Sequence, residues 1–381
     1  MERIYLDHAA TTPVHQEVVQ EVMSAMQENY GNPSSIHAFG REARKLLNHA
    51  RIQLANSIGA KENEIIFTSG GTEADNHAIT GIANAYAHKG KHIITTSIEH
   101  HAVLHTFQNL QKQGFEVTYL PVDEQGRISL DTLTKTLRED TILVSIMFGN
   151  NEVGTIQDMQ AIGDVLKNHQ AFLHSDAVQA YGIVPIDVNK LGIDLLSVSS
   201  HKINGPKGIG FLYCRETISL APILHGGEQE RKRRAGTENI PSIIGFAKAS
   251  VIAQKTMQEK QEQYQQFKEK MIDIFTTNQI AYEVNGSVEN SLPHILNVSF
   301  PGTNVEAMLV NLDLAGIAAS SGSACTAGSI DPSHVLVAMF GKYHDKTTNS
   351  IRFSFGLNNT MEQIERAASE MVKIVQRLTN Q

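Results

Sequence analysis

Cysteine is scarce: the 381 residues carry only Cys214 and Cys325. Two thiols far apart, in unlike surroundings, exclude a disulfide framework and make a reducing compartment, the cytoplasm, the simplest expectation. Long apolar runs are missing too. None approaches the roughly 20 residues of a spanning helix, so no membrane association is expected. An excess of basic charge is also lacking. Lys and Arg number 32 against 40 Asp and Glu, a net charge of −8, which argues against broad binding to nucleic acid or to an anionic membrane. The opening Met1-Glu2-Arg3-Ile4-Tyr5 has no leader pattern and enters a strand-like segment at once. Internal repeats and low-complexity tracts are absent. What remains is an ordinary globular composition, long enough for a large core and two unequal domains.

The chain opens with a short strand and the turn Asp7-His8-Ala9-Ala10-Thr11-Thr12-Pro13. The Ala-Thr-Thr run reads as a helix N-cap before proline. Val14, Val18, Val22 and Met26 then share one face of a helix, and a second helix is expected over 38–57. From Glu64 a strand–helix rhythm sets in. Strands are expected at 65–68, 92–96, 115–120, 141–147, 171–175 and 194–198, with helices between them. Alternation of this kind predicts an α/β fold, a mostly parallel sheet with helices on both faces. In such sheets ligands bind at the carboxyl ends of the strands. Thr72, His100, Asn151, Asp176, Gln179, Ser199, His201 and Lys202 all fall there.

Lys202 stands at the centre of this set. The apolar run 194–198 leads into Ser199-Ser200-His201-Lys202, and a Gly-Pro-Lys-Gly turn leads out into 209–213. A lysine for a covalent imine, Asp176 for a pyridinium nitrogen and small polar groups for a phosphate are the parts a pyridoxal phosphate (PLP) site needs. Ser69-Gly70-Gly71-Thr72-Glu73, a glycine turn opening a helix, suits a phosphate through its free N–H groups. Spacing alone serves a plain α/β surface loop equally well. Further on, Arg231-Lys232-Arg233-Arg234 reads first as a solvated loop and second as an anion- or partner-facing one. A long helical stretch over 241–275 bridges to a smaller domain with strands near 280–284, 294–300 and 350–355 and helices near 304–313, 332–340 and 360–378. Within that domain Cys325 sits among small polar residues, Ser321-Gly322-Ser323-Ala324-Cys325-Thr326, and is expected to be exposed and reactive. Cys214, ending Phe211-Leu212-Tyr213, is expected to be a small buried hydrophobe.

Several separated motifs now combine. They are Tyr5-Leu6-Asp7 with Ala10-Thr11-Thr12-Pro13, Thr68-Ser69-Gly70 with Thr72-Glu73, Glu99-His100, Asn150-Asn151-Glu152, Asp176-Ala177, Ser199 with His201-Lys202, Arg234 with Gly236-Thr237, Ser321-Gly322-Ser323-Ala324-Cys325, and Ser350-Ile351-Arg352. Over almost its whole length the chain resembles the class V aminotransferase-like PLP enzymes, specifically the NifS/IscS-like cysteine desulfurases. The resemblance implies an aspartate aminotransferase-like large domain over 14–257 and a smaller α+β domain formed by 1–13 and 258–381, carrying the cysteine loop. It implies that Lys202 holds PLP covalently and then shuttles the substrate Cα proton. Asp176 would pair with the pyridine nitrogen, Gln179 with the ring hydroxyl, and His100 would stack on the ring and assist acid–base steps. Gly71, Thr72, Ser199 and His201 would cradle the phosphate. Thr237 would reach the phosphate of a neighbouring subunit, which makes the basic loop a dimer feature. Asn151 and Arg352 would bind the substrate carboxylate. No metal site is assigned.

The activity so implied converts L-cysteine to L-alanine, with Cys325 taking the sulfur as a persulfide on a mobile loop and passing it to an acceptor protein. Selenocysteine lyase and cysteine-sulfinate desulfinase are alternatives on the same scaffold. A Cys–His acyl-transfer enzyme leaves Lys202 and Asp176 unexplained, and a non-enzymatic sulfur carrier leaves the lysine without a task. The chain ends at Leu378-Thr379-Asn380-Gln381, soon after its last helix, without the longer tail of general-purpose desulfurases that docks an iron–sulfur scaffold. A dedicated acceptor such as a tRNA 2-thiouridine synthase is therefore expected beside the scaffold.

Overall fold

The structure, a computed structural model, describes residues 3–287, 290–322 and 332–380. Cys325 lies outside the described residues, so the expectation of an exposed thiol on a mobile loop is not addressed by them. In chain order the elements are β1 (Ile4–Tyr5), α1 (Gln16–Glu28), α2 (Ala38–Asn56), β2 (Ile65–Thr68), α3 (Gly71–Tyr86), β3 (His92–Thr96), α4 (His101–Lys112), β4 (Glu116–Leu120), α5 (Leu130–Thr136), β5 (Thr141–Ser145), α6 (Met159–Leu166), β6 (Phe172–Asp176), β7 (Leu195–Ser199), β8 (Gly210–Cys214), α7 (Ile240–Thr277), β9 (Glu283–Val284), β10 (Ile295–Ser299), α8 (Val305–Leu314), β11 (Ile317–Ala318), α9 (His334–Phe340), β12 (Ser350–Ser354) and α10 (Met361–Thr379).

The main sheet has seven strands in the order β2-β8-β7-β6-β5-β3-β4. Strands β4, β3, β5, β6 and β7 pair in parallel. β8 is antiparallel to both β7 and β2. The reason is its short connection: Asn204 (φ 64°) and Gly208 (φ 77°) take left-handed conformations that turn the chain straight back. β2 thus points the same way as β7, and the carboxyl ends of β2, β3, β5, β6 and β7 share one edge.

Alternate strand residues feed two apolar layers, as a two-residue period requires. Ile65, Phe67, Leu196, Val198, Phe211 and Tyr213 face the layer built with α1, α2 and the first half of α7. Ile66, Leu195, Leu212 and Cys214 face the layer built with α3 and α4. Cys214 is a core side chain, and burial pushes its thiol up to about 12.

α7 runs unbroken for 38 residues, about 57 Å at 1.5 Å per residue. Its first half lies in the main core. Tyr264, Phe267, Met271 and Phe275 from its second half enter another core with Leu296, Val298, Ile351, Phe353 and residues of α8 and α10. β10 there pairs antiparallel with β12 and β9. Ile4 and Leu6 belong to that second core, because β1 pairs in parallel with β11.

Two local expectations are corrected. The first helix starts at Gln16 with His15 as its cap, not at the Thr-Thr-Pro run. Thr11 and Thr12 spend their hydroxyls on the Lys202 turn instead. The apolar face of α1 is Val18, Val22 and Ala25, while Val14 and Met26 are exposed. A spacing of four residues turns 400°, so a stripe drawn through 14, 18, 22 and 26 drifts off the buried face. Among the described residues no helix is long and apolar enough to cross a membrane.

Candidate active site

Lys202 ends β7 in a single 3₁₀ turn, Ser200–Lys202. The turn is pinned by the N-terminal segment. Thr12 donates its hydroxyl to His201 O at 2.8 Å and its N–H to the same oxygen at 3.1 Å, and accepts the Asn204 N–H at 2.9 Å. Thr11 Oγ1 sits 3.1 Å from His201 Nδ1. The ammonium of Lys202 donates to the carbonyls of Ala9 and Ala10, the latter at 2.8 Å. Residues 9–12 and the Lys202 turn are thereby one unit, although 190 residues separate them in sequence.

The lysine faces a cavity of about 530 Å³, within the ~300–1,000 Å³ range of small-molecule sites. Thr72, His100, Asn151, Asp176, Gln179, Ser199, His201 and Lys202, all expected at strand ends, line this cavity together with Gly71 and Arg352. Thr237 does not line it. It is exposed on the segment after the basic loop. Burial lowers the Lys202 pKa to about 8, helped by the charge of Arg352 and opposed by Asp176 and Asp7. A neutral, nucleophilic amine is therefore within reach near neutrality. Burial likewise holds His201 down at about 4, with Lys202 and Lys207 adding to it.

Asp176 is buried at the end of β6, and one of its oxygens accepts the Val178 N–H at 2.9 Å. Burial raises its pKa, while His100, that N–H and Lys202 pull it back. His100 caps α4: its Nδ1 accepts the Ala102 N–H at 3.1 Å, which leaves the neutral ring's proton on Nε2. Its pKa lies below the usual value, through partial desolvation by the protein around an otherwise exposed ring and through the charges of Lys202, His334 and His105, opposed by Asp176. Gln179 donates to Ala9 O at 2.9 Å, and its carbonyl lies 3.2 Å from His294 Nε2.

Arg352 projects from the middle of β12. Nη1 donates to Asn151 O at 2.9 Å and Nη2 to Asp7 Oδ1 at 2.8 Å. Nε is buried without a hydrogen-bond partner among the described residues, a donor that a carboxylate could satisfy.

The fit of PLP to this cavity can be judged from its walls. α3 begins at Gly71 with no side-chain cap on its first N–H groups, and its N-terminus opens on the cavity. A Cβ at Gly71 would come within 2.7 Å of Val178 Cγ2, so only glycine leaves the space clear. An uncapped helix start with Thr72, Ser199 and His201 beside it matches a phosphate. A buried carboxylate and a low-pKa lysine match the ring and its aldehyde. The residues fit the group.

The basic loop is only partly solvated. Arg234 grips Glu73 through Nε at 2.8 Å and Nη2 at 3.1 Å, and Glu73 accepts the Ser69 N–H at 2.7 Å. Arg233 donates to Asn63 O at 2.9 Å. Arg234 thus braces the glycine turn, and Arg233 the chain entering β2.

Sequence reading assigned no role to Asp7, Asp75 and His294. Asp75 lines the cavity fully buried, and its carboxylate, His100 and Asp176 offer atoms within 4.8 Å of one another. Burial and the nearby Asp176 raise its pKa well above the usual carboxyl range. Its spacing of three residues from Thr72 on α3 was a usable signal. Asp7 stood in the Tyr5-Leu6-Asp7 motif without a role, and His294 gave no signal, since their partners Arg352 and Gln179 lie 345 and 115 residues away in sequence.

Comparison with known proteins agrees with this geometry. The aminotransferase class-V family model matches residues 4–367. IscS 1 of Bacillus subtilis (strain 168) is 59% identical over 379 residues, covering 100% of both chains. The cysteine desulfurase IscS of Methanosarcina thermophila is 50% identical over 377 residues, covering 99% of this chain and 93% of its own. A solved NifS-like protein superposes with a TM-score of 0.92 at 37% identity, covering 99% of this chain and 100% of the other. The chain therefore belongs to the aminotransferase class-V family, the PLP-dependent fold type I enzymes, within the NifS/IscS-like cysteine desulfurases.

Proposed function

We propose that the protein converts L-cysteine to L-alanine and takes the sulfur onto Cys325 as a persulfide. The observation that carries this reading is the convergence of Lys202, Asp176, the open α3 N-terminus and Arg352 on one cavity. PLP bound there supplies an electron sink for the pair released from the substrate Cα–H bond. Gly71, Thr72, Ser199 and His201 hold its phosphate, Gln179 its ring hydroxyl and Asp176 its pyridine nitrogen. Arg352 and Asn151 bind the substrate carboxylate and orient Cα toward Lys202. The Lys202 amine moves the Cα proton. The neutral His100, with its proton on Nε2, assists acid–base steps at the ring.

Cys325 attacks the substrate sulfur as a thiolate. The new S–S bond forms as the Cβ–S bond breaks, and Cβ takes a proton. L-cysteine plus the Cys325 thiol thus become L-alanine plus the Cys325 persulfide, with atoms and electrons balanced. The sulfur then passes to an acceptor protein, either a tRNA 2-thiouridine synthase or an iron–sulfur scaffold. The working unit is a homodimer in the cytoplasm, with Thr237 completing the neighbour's phosphate cradle. Residues 14–257 form the PLP-binding domain, and 1–13 with 258–381 form the smaller one.

Intact-mass analysis tests this reading. L-cysteine is added without reductant, alanine is assayed in the same tube, and Cys325→Ala is run beside the wild type. One added sulfur together with alanine, and neither in the mutant, is expected. Cys214 is buried with a raised pKa, so a modified thiol reports on Cys325. Alanine without sulfur on Cys325 removes that residue's role. Neither product from PLP-loaded protein overturns the substrate assignment, and selenocysteine and cysteine sulfinate are then compared.

A further inference from the structure

Glu152 closes the Asn150-Asn151-Glu152 run, and its carboxylate lies behind Gly322 of the cavity wall without lining the cavity itself. It is 1% exposed. Burying a carboxylate is costly unless partners hold it, so its surroundings carry information. Ser333 donates its hydroxyl to Glu152 Oε2 and, with the same oxygen, accepts the Leu336 N–H at 3.1 Å, capping α9. From the other side Gly322, at φ +89°, approaches that carboxylate closely. A Cβ there would meet Oε2 at 2.8 Å and Cδ at 3.1 Å. One carboxylate thus bonds Ser333 on one side of the 323–331 segment and packs against Gly322 on the other.

The carboxylate is itself fixed to the substrate-facing wall. Glu152 N–H donates to Asn150 Oδ1 at 2.8 Å, and Asn297 of β10 donates to Glu152 O at 3.1 Å. One residue earlier, Asn151 O accepts Arg352 Nη1 at 2.9 Å. Arg352 in turn exchanges backbone hydrogen bonds with Ser320, two residues before Gly322, at 2.6 and 3.2 Å. Burial raises the Glu152 pKa, while His334, the Ser333 hydroxyl and Arg352 oppose the shift. Two of those three, Ser333 and His334, open α9 after the 323–331 segment, and the third, Arg352, stands on β12 beside the segment's other end.

We propose that Glu152 is a positioning residue that ties Gly322 and Ser333 to the Asn151–Arg352 wall and so fixes where both ends of the cysteine-bearing segment meet the active site. The consequence for sulfur transfer rests on the proposed function of Cys325. The tie itself does not.

Hydrogen exchange on PLP-loaded wild type, Glu152→Ala, Glu152→Gln and Ser333→Ala measures the tie. In Glu152→Ala, amides of 334–340 exchange about tenfold faster, the size expected for losing a charged hydrogen bond, and those of 317–322 also exchange faster through the lost packing against Gly322, while β3 and β6 keep wild-type rates. Glu152→Gln retains an acceptor for Ser333 and recovers most of the protection. Ser333→Ala loosens 334–340 alone. Faster exchange throughout the molecule, or in neither stretch, overturns the proposal, and the Gln and Ser variants decide it if the Ala variant does not fold.

A single-turnover arm follows the cofactor absorbance change on adding L-cysteine and the sulfur mass on Cys325. In Glu152→Ala the absorbance change persists, and sulfur appears about tenfold more slowly. Equal slowing of both, or of neither, overturns the positioning role. If wild type gains no sulfur on Cys325, the function proposed above falls, and hydrogen exchange alone decides the tie.

Discussion

Uptake of PLP by the apoprotein should titrate with Lys202. The amine attacks only when neutral, and burial brings its pKa to about 8 against an ordinary value of 10.5. A group with pKa 8 is about 9% neutral at pH 7 and about 91% neutral at pH 9. The uptake rate should therefore rise about tenfold over that interval and level off near its top. A lysine at its ordinary value would be about 0.03% neutral at pH 7 and about 3% at pH 9, a hundredfold rise with no plateau. A phosphate monoester is already mostly dianionic above about pH 6, and His201, held at about 4, stays neutral throughout. Glu99 is the competing group, since burial raises it to about 8 as well. The profile of Glu99→Gln must keep the same midpoint. The assay is absorbance-monitored uptake of PLP under excess cofactor, at fixed ionic strength. A rate still rising with unit slope at pH 9 refutes the assignment of a lowered lysine pKa.

Asp176→Asn removes the buried charge without changing shape. It should lower turnover of L-cysteine by about 100-fold, the scale of losing one preorganised electrostatic contact, with KM little changed in steady-state alanine assays. Arg352→Lys keeps charge but loses the planar fork that holds Asn151 O and Asp7. kcat/KM should fall about 10- to 100-fold, mainly through KM, and an unchanged KM would count against a carboxylate role. Arg51 and Glu230 form a bidentate pair at 2.7 and 2.6 Å, with Glu230 buried. Arg51→Met strands that carboxylate and should cost about 3–5 kcal/mol in urea unfolding. Arg51→Met with Glu230→Leu should recover most of the loss, and additive losses would show that the pair is not coupled.

Much of the site could be read from the sequence, for a physical reason. In a parallel sheet every strand ends on the same edge, so polar residues after the apolar runs gather there whatever the details of packing. Thr72, His100, Asn151, Asp176 and Lys202 each follow such a run. Which residues feed which apolar layer was not legible, because Leu195-Leu196 and Leu212-Tyr213 are adjacent apolar pairs that the pleat sends to opposite faces. The first-helix cap was misjudged because Thr-Thr-Pro carries a local signal that a distant partner outcompetes. His201 O and Asn204 N–H claim the Thr12 hydroxyl.

The sequence by itself determined the order of strands and helices, the chemistry available at the strand ends and the resemblance to a PLP enzyme. Local pattern is enough for those, since each depends on a few neighbouring residues. Only the tertiary structure decided that Asp7 engages Arg352 from the other end of the chain, that His294 reaches Gln179, and that Glu152 meets Gly322 and Ser333. It also decided the lysine's pKa, because desolvation depends on what the folded chain places around a group, and no spacing along the sequence records that.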